Sequence, residues 1–264
     1  MISTLGIDCS HWQDDKSTAQ KMDFKKAVAS GAYFVFVKVS ERGAIDLDFE
    51  YNWKAAKAAG LLRGGYHFLR WDLPALTQAR LFCGCLEGDV GELPPVADFE
   101  APPAGSLYPS NALLLQFLEE VERILNRRPM IYTSPGFWRA YGNNKTTKKP
   151  DSYWSIYPLW IAHYGVKDPL IPAPWQTWTF WQYTSAGDGS KFGAESKGID
   201  LNLFNGSVDE LYALVDKTNG KLPGFAQIQA AELSGDEACL SSQINHLNRR
   251  LKNVEDFLAS FRLP

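Results

Sequence analysis

Short apolar runs rich in Val, Ile, Tyr and Phe recur along the first 215 residues, and turn-forming residues bound each run. Runs of roughly four to eight such residues predict buried β-strands. This pattern gives eight strand candidates, beginning near Leu5, Tyr33, Leu62, Pro94, Pro129, Pro158, Thr177 and Gly198. Apolar residues at helical spacing predict helices between the early strands, over residues 24–30, 49–59, 75–86 and 111–126.

The alternation of strand and helix predicts a parallel sheet. Eight strands within about 215 residues suggest a (β/α)8-type barrel, although the segments after Ser134 leave little room for full helices. We therefore expect an α/β fold, namely a (β/α)8-type barrel that is incomplete or flattened in its second half, followed by a C-terminal helical segment. In such barrels the active site lies at the carboxyl ends of the strands.

Four acidic residues mark the predicted active-site rim. Asp98 and Glu100 end an apolar strand two residues apart, so their side chains face the same way, with Cα atoms roughly 6.5 Å apart. Asp8 and Asp200 repeat the arrangement on the first and last strands, which become neighbours when a barrel closes. Like charges so close raise one pKa and prepare a protonated acid. Cleavage of a glycosidic bond needs such a proton and a second group that stabilises the reacting sugar.

Composition and spacing exclude several other functions. The chain has 27 Lys and Arg residues, 30 Asp and Glu residues and a formal net charge of -3, so it has no basic field for nucleic acid. No apolar stretch is long enough to cross a membrane. The histidines near the acids, His11, His67 and His163, show no metal-ligand spacing. We therefore expect no metal and no cofactor.

An ordered series of motifs resembles glycoside hydrolase family 25, a family of lysozymes that includes bacteriophage endolysins. The matching segments are residues 6–13, 36–41, 64–68, 98–100, 131–133, 159–162, 181–183 and 198–202. They occur in the order of the family and cover about residues 3–215, which is far more specific than any single motif. The resemblance implies an enzyme that cleaves the β-1,4 bond between N-acetylmuramic acid and N-acetylglucosamine in bacterial peptidoglycan.

The resemblance also implies roles for the four acids. Glu100 would be the proton donor, and Asp98 would orient the 2-acetamido group of the substrate or stabilise the reacting sugar carbon. Asp8 and Asp200 would complete the acidic cluster. The family is retaining, and both the acetamido oxygen and a carboxylate are compatible with the role of nucleophile.

Four further residues are implied to contact the substrate, namely Tyr66, Tyr132, Trp181 and Gln182. The two tyrosines would lie near the acetamido-bearing sugar, and the other two residues would line the groove. Ordinary barrel packing is the alternative role, because buried Tyr and Trp are common wherever their polar atom finds a partner.

Two rival functions are a related hydrolase and a non-enzymatic binding protein. A chitinase-like hydrolase also ends a strand with Asp-x-Glu, but such enzymes generally carry another Asp two residues earlier, where this chain has Val96. A wall-glycan-binding protein on an inactive barrel would be expected to have lost one or more of the acids, and all four are present. Both observations favour a muramidase.

The first eight residues lack a basic stretch followed by an apolar run, so we expect no secretory signal. The protein would then be made in the cytoplasm of a host or producing cell and would act on the cell wall after release.

We expect three parts in the chain: a catalytic barrel over residues 1–216, a linker over 217–235 and an amphipathic helix over 236–264. In the last part, apolar residues alternate spacings of four and three, which is typical of a heptad repeat. They are Leu240, Ile244, Leu247, Leu251, Val254, Leu258 and Phe261. We expect a short coiled coil that forms a homo-oligomer. A helix folded onto its own barrel is the alternative, because so few heptads are of marginal length.

Overall fold

The computed structural model describes residues 2–15, 17–142 and 151–219. The strands in these residues are β1 (Thr4–Cys9), β2 (Phe34–Glu41), β3 (Ala44–Ile45), β4 (Leu62–Phe68), β5 (Val96–Asp98), β6 (Met130–Thr133), β7 (Leu159–Ala162), β8 (Phe180–Asp188) and β9 (Gly198–Phe204). The helices are α1 (Phe24–Ala29), α2 (Phe49–Ala58), α3 (Ala75–Cys85), α4 (Asn111–Leu125), α5 (Pro135–Phe137), α6 (Gly189–Phe192) and α7 (Val208–Asn219). Short 3-10 segments cover His11–Gln13 and Asp151–Ile156, and a π-helical turn covers Trp138–Gly142.

Eight of the strands close into a barrel. Parallel pairing runs from β1 through β2, β4, β5, β6 and β7 to β8. Strand β9 then pairs antiparallel with both β8 and β1 and completes the ring. The two-residue strand β3 extends the sheet beside β2, antiparallel to it. The predicted barrel is confirmed, and all eight predicted strands form.

The second half of the barrel has few helices, as its sequence predicts. No helix separates β7 from β8 in the described chain, and α6, which joins β8 to β9, has only four residues. A parallel neighbour needs a crossover of a dozen or more residues, whereas an antiparallel neighbour needs only a short connection. The short connection is therefore consistent with β9 running antiparallel to β8. The alternation of strand and helix predicts a parallel strand at this position.

The outward face of each barrel strand belongs to the main hydrophobic core. Val35, Val37 and Val39 of β2 are buried in one apolar cluster with Phe82 of α3 and Phe117 of α4. Strands that are covered on both faces carry near-continuous apolar runs. These alternate residues of β2 are therefore apolar because they face the core between the barrel and the helices.

The inward face of the barrel is filled by aromatic rings in its amino-terminal half. Phe36 stacks on Trp160 with ring centroids 4.3 Å apart, and Phe34 meets Phe36 edge to face at 5.8 Å. Two glycines make room for these rings. A Cβ atom on Gly6 would lie 2.4 Å from Phe34, and one on Gly64 would lie 2.3 Å from Phe36. We call the rings of Phe34, Phe36 and Trp160 the aromatic plug. It fills the barrel below the end at which the predicted site residues lie.

The C-terminal predictions fall largely outside the described residues. Helix α7 ends at Asn219, so residues 217–219, which the sequence assigns to the linker, are helical. The rest of that linker and the segment 236–264, with its predicted coiled coil, lie outside the described chain. None of the helices in the described ranges is long and apolar enough to cross a membrane.

The aromatic plug predicts the effect of a single methyl group. Gly6→Ala should lower the free energy of unfolding by about 1–3 kcal/mol, because the added carbon overlaps the ring of Phe34. Chemical denaturation measures this change. Gly84→Ala in α3 is the matched control: its Cβ would meet no atom within 4 Å, so a gain of about 0.5–1 kcal/mol is expected. Unchanged stability of Gly6→Ala would contradict the packing described.

Candidate active site

An open pocket of about 350 Å³ lies at the carboxyl ends of the parallel strands. The four predicted acids Asp8, Asp98, Glu100 and Asp200 all line it. Asp8 lies on β1, Asp98 ends β5, Glu100 follows two residues later, and Asp200 lies on β9. Closure of the barrel therefore brings together carboxyl groups that are almost 200 residues apart in the chain.

Asp200 reaches the pocket from the beginning of its strand. Because β9 runs antiparallel to β1, Asp200 lies directly opposite Asp8 in the strand register. Cβ atoms of such opposed residues are roughly 5 Å apart, so the two carboxyl groups share one small site. Burial raises the pKa of Asp200 to about 6, and a hydrogen bond with Asp8 opposes that rise. Asp200 therefore lines the same pocket as the other acids, but the predicted chain direction of its strand is wrong.

Asp8 is bound by two amide side chains. Nε2 of Gln182 and Nδ2 of Asn202 each donate a hydrogen bond to Oδ2 of Asp8 at 2.8 Å. Their amide oxygens are also bound, since Trp160 donates to Asn202 at 2.8 Å and the hydroxyl of Tyr132 donates to Gln182 at 2.7 Å. Burial, followed by the charge of Asp200, raises the pKa of Asp8, and the two amide donors lower it. The network fixes the orientation of this carboxyl group.

Asp98 and Glu100 differ in their exposure to solvent. Asp98 is only 4% exposed, whereas Glu100 is half-buried. Burial raises the pKa of both groups, and the charge of Glu100 raises that of Asp98 further. Oδ1 of Asp98 is buried and accepts no hydrogen bond from any residue in the described ranges. Because a buried acceptor without a donor is costly, this oxygen is suited to receive an N–H or O–H group from a ligand.

Lys38 is a pocket residue that sequence analysis does not single out. Its side chain is buried, and its Nζ atom donates a hydrogen bond to Oε2 of Glu41 at 2.6 Å. The positive charge lowers the pKa of both Asp98 and Glu100. Lys38 is the only cationic residue in the described lining of the pocket. One signal could have revealed it, because this lysine interrupts the apolar run of residues 34–39.

Comparison with known proteins identifies the family. The family model described as glycosyl hydrolases family 25 matches residues 7–191. The chain belongs to this family. It is a glycoside hydrolase. Lysozyme M1 of Streptomyces globisporus is 33% identical over 224 residues, which cover 81% of this chain and 71% of that protein.

Another relative and a solved structure give the same assignment. The N,O-diacetylmuramidase of Arthroderma benhamiae is 31% identical over 220 residues, covering 79% of this chain and 85% of that protein. The structure of the bacterial lysozyme from Streptomyces coelicolor matches with a TM-score of 0.69 and 30% identity. That match covers 83% of this chain and 99% of the other.

Three of the four residues predicted to bind substrate line the pocket of this family 25 hydrolase, namely Tyr66, Tyr132 and Gln182. Trp181 faces outward instead. Its ring belongs to the hydrophobic core, and its Nε1 atom donates to the carbonyl oxygen of His163 at 2.8 Å. Neighbouring residues on a strand point to opposite faces, so Trp181 and Gln182 cannot both line the pocket. The prediction for Trp181 is therefore corrected.

All three histidines near the rim have structural contacts of their own, including His163, whose Nδ1 atom accepts a hydrogen bond from the backbone N–H of Leu170 at 3.0 Å. His67 lies outside the barrel between Ser40 and Gln78, at 2.8 Å and 2.9 Å, and burial lowers its pKa to about 4. Nδ1 of His11 lies 2.6 Å from Oδ2 of Asp46. In the described part of the chain, no group of three or more His, Cys, Asp or Glu residues is arranged to hold a metal ion.

The raised pKa of Asp200 predicts a pH-dependent effect on stability. A carboxyl group with a folded pKa of about 6, above its unfolded pKa of about 4, stabilises the fold at low pH. That stabilisation is lost as the pH rises through 6. The free energy of unfolding of the wild type, minus that of Asp200→Asn, should therefore fall between about pH 4 and 7. Denaturation of both proteins across this range measures it, and parallel curves would contradict the assignment.

Proposed function

We propose that this glycoside hydrolase is a muramidase that cleaves the β-1,4 bond between N-acetylmuramic acid and N-acetylglucosamine in bacterial peptidoglycan. The observation that carries the proposal is the pairing of half-buried Glu100 with buried Asp98 in one open pocket. The names of two relatives, Lysozyme M1 and N,O-diacetylmuramidase, support this substrate class.

Glu100 is the general acid of the proposed reaction. Burial raises its pKa and the charge of Asp200 raises it further, while Tyr132 and Lys38 act in the opposite direction. A glycan lying over the half-exposed carboxyl group would displace water and raise the pKa again. Glu100 then keeps its proton near neutral pH and donates it to the glycosidic oxygen as the bond to the sugar carbon breaks.

Asp98 acts on the sugar that contains the reacting carbon, whose bond to the leaving group breaks. Its unbound Oδ1 atom would accept the N–H of the 2-acetamido group. That hydrogen bond stabilises the ionised form of Asp98, so the proton that the two carboxyl groups compete for stays on Glu100. It also turns the acetamido carbonyl oxygen toward the reacting carbon. The acetamido oxygen is therefore the nucleophile in our proposal, and water then opens the resulting ring with Glu100 as base.

Asp8 and Asp200 line the other side of the pocket. Their opposed carboxyl groups, with raised pKa values, favour a shared proton between them at neutral pH. The shared proton limits the repulsion that four ionised acids would exert on one another. Amide donors from Gln182 and Asn202 keep this pair in place.

Glu100→Gln should lower the kcat for wall hydrolysis by roughly a hundredfold to ten-thousandfold or more, because the amide keeps the shape but cannot donate a proton. Asp98→Asn should cost at least roughly a hundredfold, because the amide removes the charge that faces the reacting sugar. Turbidity clearing of purified cell walls measures both rates. Glu50→Gln, on an exposed helical residue, is the control and should keep the wild-type rate. Wild-type clearing by folded Glu100→Gln would exclude Glu100 as the acid.

The bond that is cleaved can be identified from the products. Peptidoglycan digested by the enzyme and then reduced with borohydride should show new muramitol ends in mass spectrometry. New glucosaminitol ends would indicate a glucosaminidase, and new amino termini would indicate an amidase or peptidase. Tight binding to walls without any new end would support the rival function of a wall-glycan-binding protein.

A further inference from the structure

A second pocket of about 520 Å³ lies beside the catalytic pocket. It is lined by His11, Lys38 and the continuous segment 41–47. Lys38 lines both pockets. Two consecutive residues also connect the pockets: Trp12 lines the catalytic pocket and His11 lines the second one. The centroids of their rings are 4.6 Å apart. A ligand that fills the catalytic pocket can therefore extend past Lys38 into the second pocket.

The lining of the second pocket is that of a peptide site. Most of its lining residues belong to the β2–β3 hairpin and the residues that follow it. Strand β3 ends the strand order, with no described strand on its outer side. Ile45 and Leu47 beside it are 51% and 71% exposed. No Trp, Tyr or Phe belongs to the lining in the described chain, whereas the catalytic pocket has several aromatic faces. Open strand edges with small apolar contacts bind extended peptides.

Arg42 is the most exposed cation in the described lining of this pocket. Glu41 and Asp46 already have close partners, Lys38 and His11, each at 2.6 Å. Arg42 is 60% exposed, and its Nε atom lies 2.8 Å from Oδ2 of Asp72, which is 38% exposed. Exposed ion pairs of this kind contribute little. Arg42 can therefore exchange Asp72 for a carboxylate of a ligand at low cost.

The backbone of Arg42 supports a role in binding. Its φ angle is 53°, in the left-handed region that disfavours residues other than glycine and asparagine. It lies in the two-residue connection between β2 and β3, where Gly, Asn or Asp is preferred. Disfavoured backbone conformations of this kind cluster at ligand-binding sites.

We propose that the second pocket binds the stem peptide of peptidoglycan, the short acidic peptide that muramic acid carries on its lactyl group. This inference rests on the proposed muramidase function, because the sugar in the catalytic pocket must carry that peptide. The peptide leaves the sugar beside Lys38, packs its small side chains against Ile45 and Leu47, and pairs a carboxylate with Arg42. The enzyme thereby recognises the peptide-bearing sugar as well as the glycan bond.

Two substrates test this inference: glycan strands that carry stem peptides, and the same strands stripped of peptides by an amidase. The wild type should show a kcat/KM at least about tenfold higher on the peptide-bearing strands, as expected for charge-assisted hydrogen bonds. The double variant Arg42→Ala with Ile45→Ser should lose that preference and keep the wild-type rate on stripped strands. Both changes are at exposed side chains and keep the Cβ atom, so folding should be preserved.

Arg128→Ala is the matched control, because Arg128 is also a half-exposed arginine, with its Nε atom 3.1 Å from Glu122. This variant should keep the preference for peptide-bearing strands. Equal wild-type rates on the two substrates would overturn the stem-peptide site. An equal loss on both substrates in the double variant would also overturn it and would assign the second pocket to the glycan. Failure of the wild type to cleave either substrate would contradict the proposed function, and the stem-peptide site with it.

Discussion

The antiparallel pairing of β9 with β1 is the constraint on which the site depends. It closes the barrel, and its register puts Asp200 opposite Asp8 and Asn202 opposite Gly6. The same strand pairs with β8, where Gln182 lies opposite Asn202. The two amides that bind Asp8 are therefore neighbours because of strand register. A shift of one residue would turn these polar side chains to the outer face and leave the barrel mouth without them.

The acids are kept in the pocket at a cost in stability. Burial raises the pKa of all four, and each must lose solvation when it ionises. Amide donors, a hydrogen bond between Asp8 and Asp200 and the charge of Lys38 offset part of that cost. The same burial lets a carboxyl group carry a proton near neutral pH. The raised pKa values and the reduced stability therefore have one physical cause in this site.

The layered filling of the barrel determines the shape of the site. Aromatic rings around Phe36 and Trp160 close the amino-terminal half, so the polar residues above them form a shallow pocket rather than a channel. A shallow pocket leaves room for a long substrate to pass across it. The second pocket at the β2–β3 hairpin extends this surface to one side, where the proposed stem peptide would leave the glycan. Both proposals thus concern one polymer lying across one surface.

The sequence by itself determined the eight barrel strands, the four helices before Ser134 and the four acids at the barrel rim, because spacing along a short segment specifies each of these features. Only the tertiary structure decided the direction of β9, the inward position of Gln182 rather than Trp181, and the place of Lys38. An alternating pattern is the same when read in either direction, so it cannot give strand direction. It also cannot show which face looks into the barrel when both faces of a strand are buried, because helices cover one side and aromatic rings fill the other.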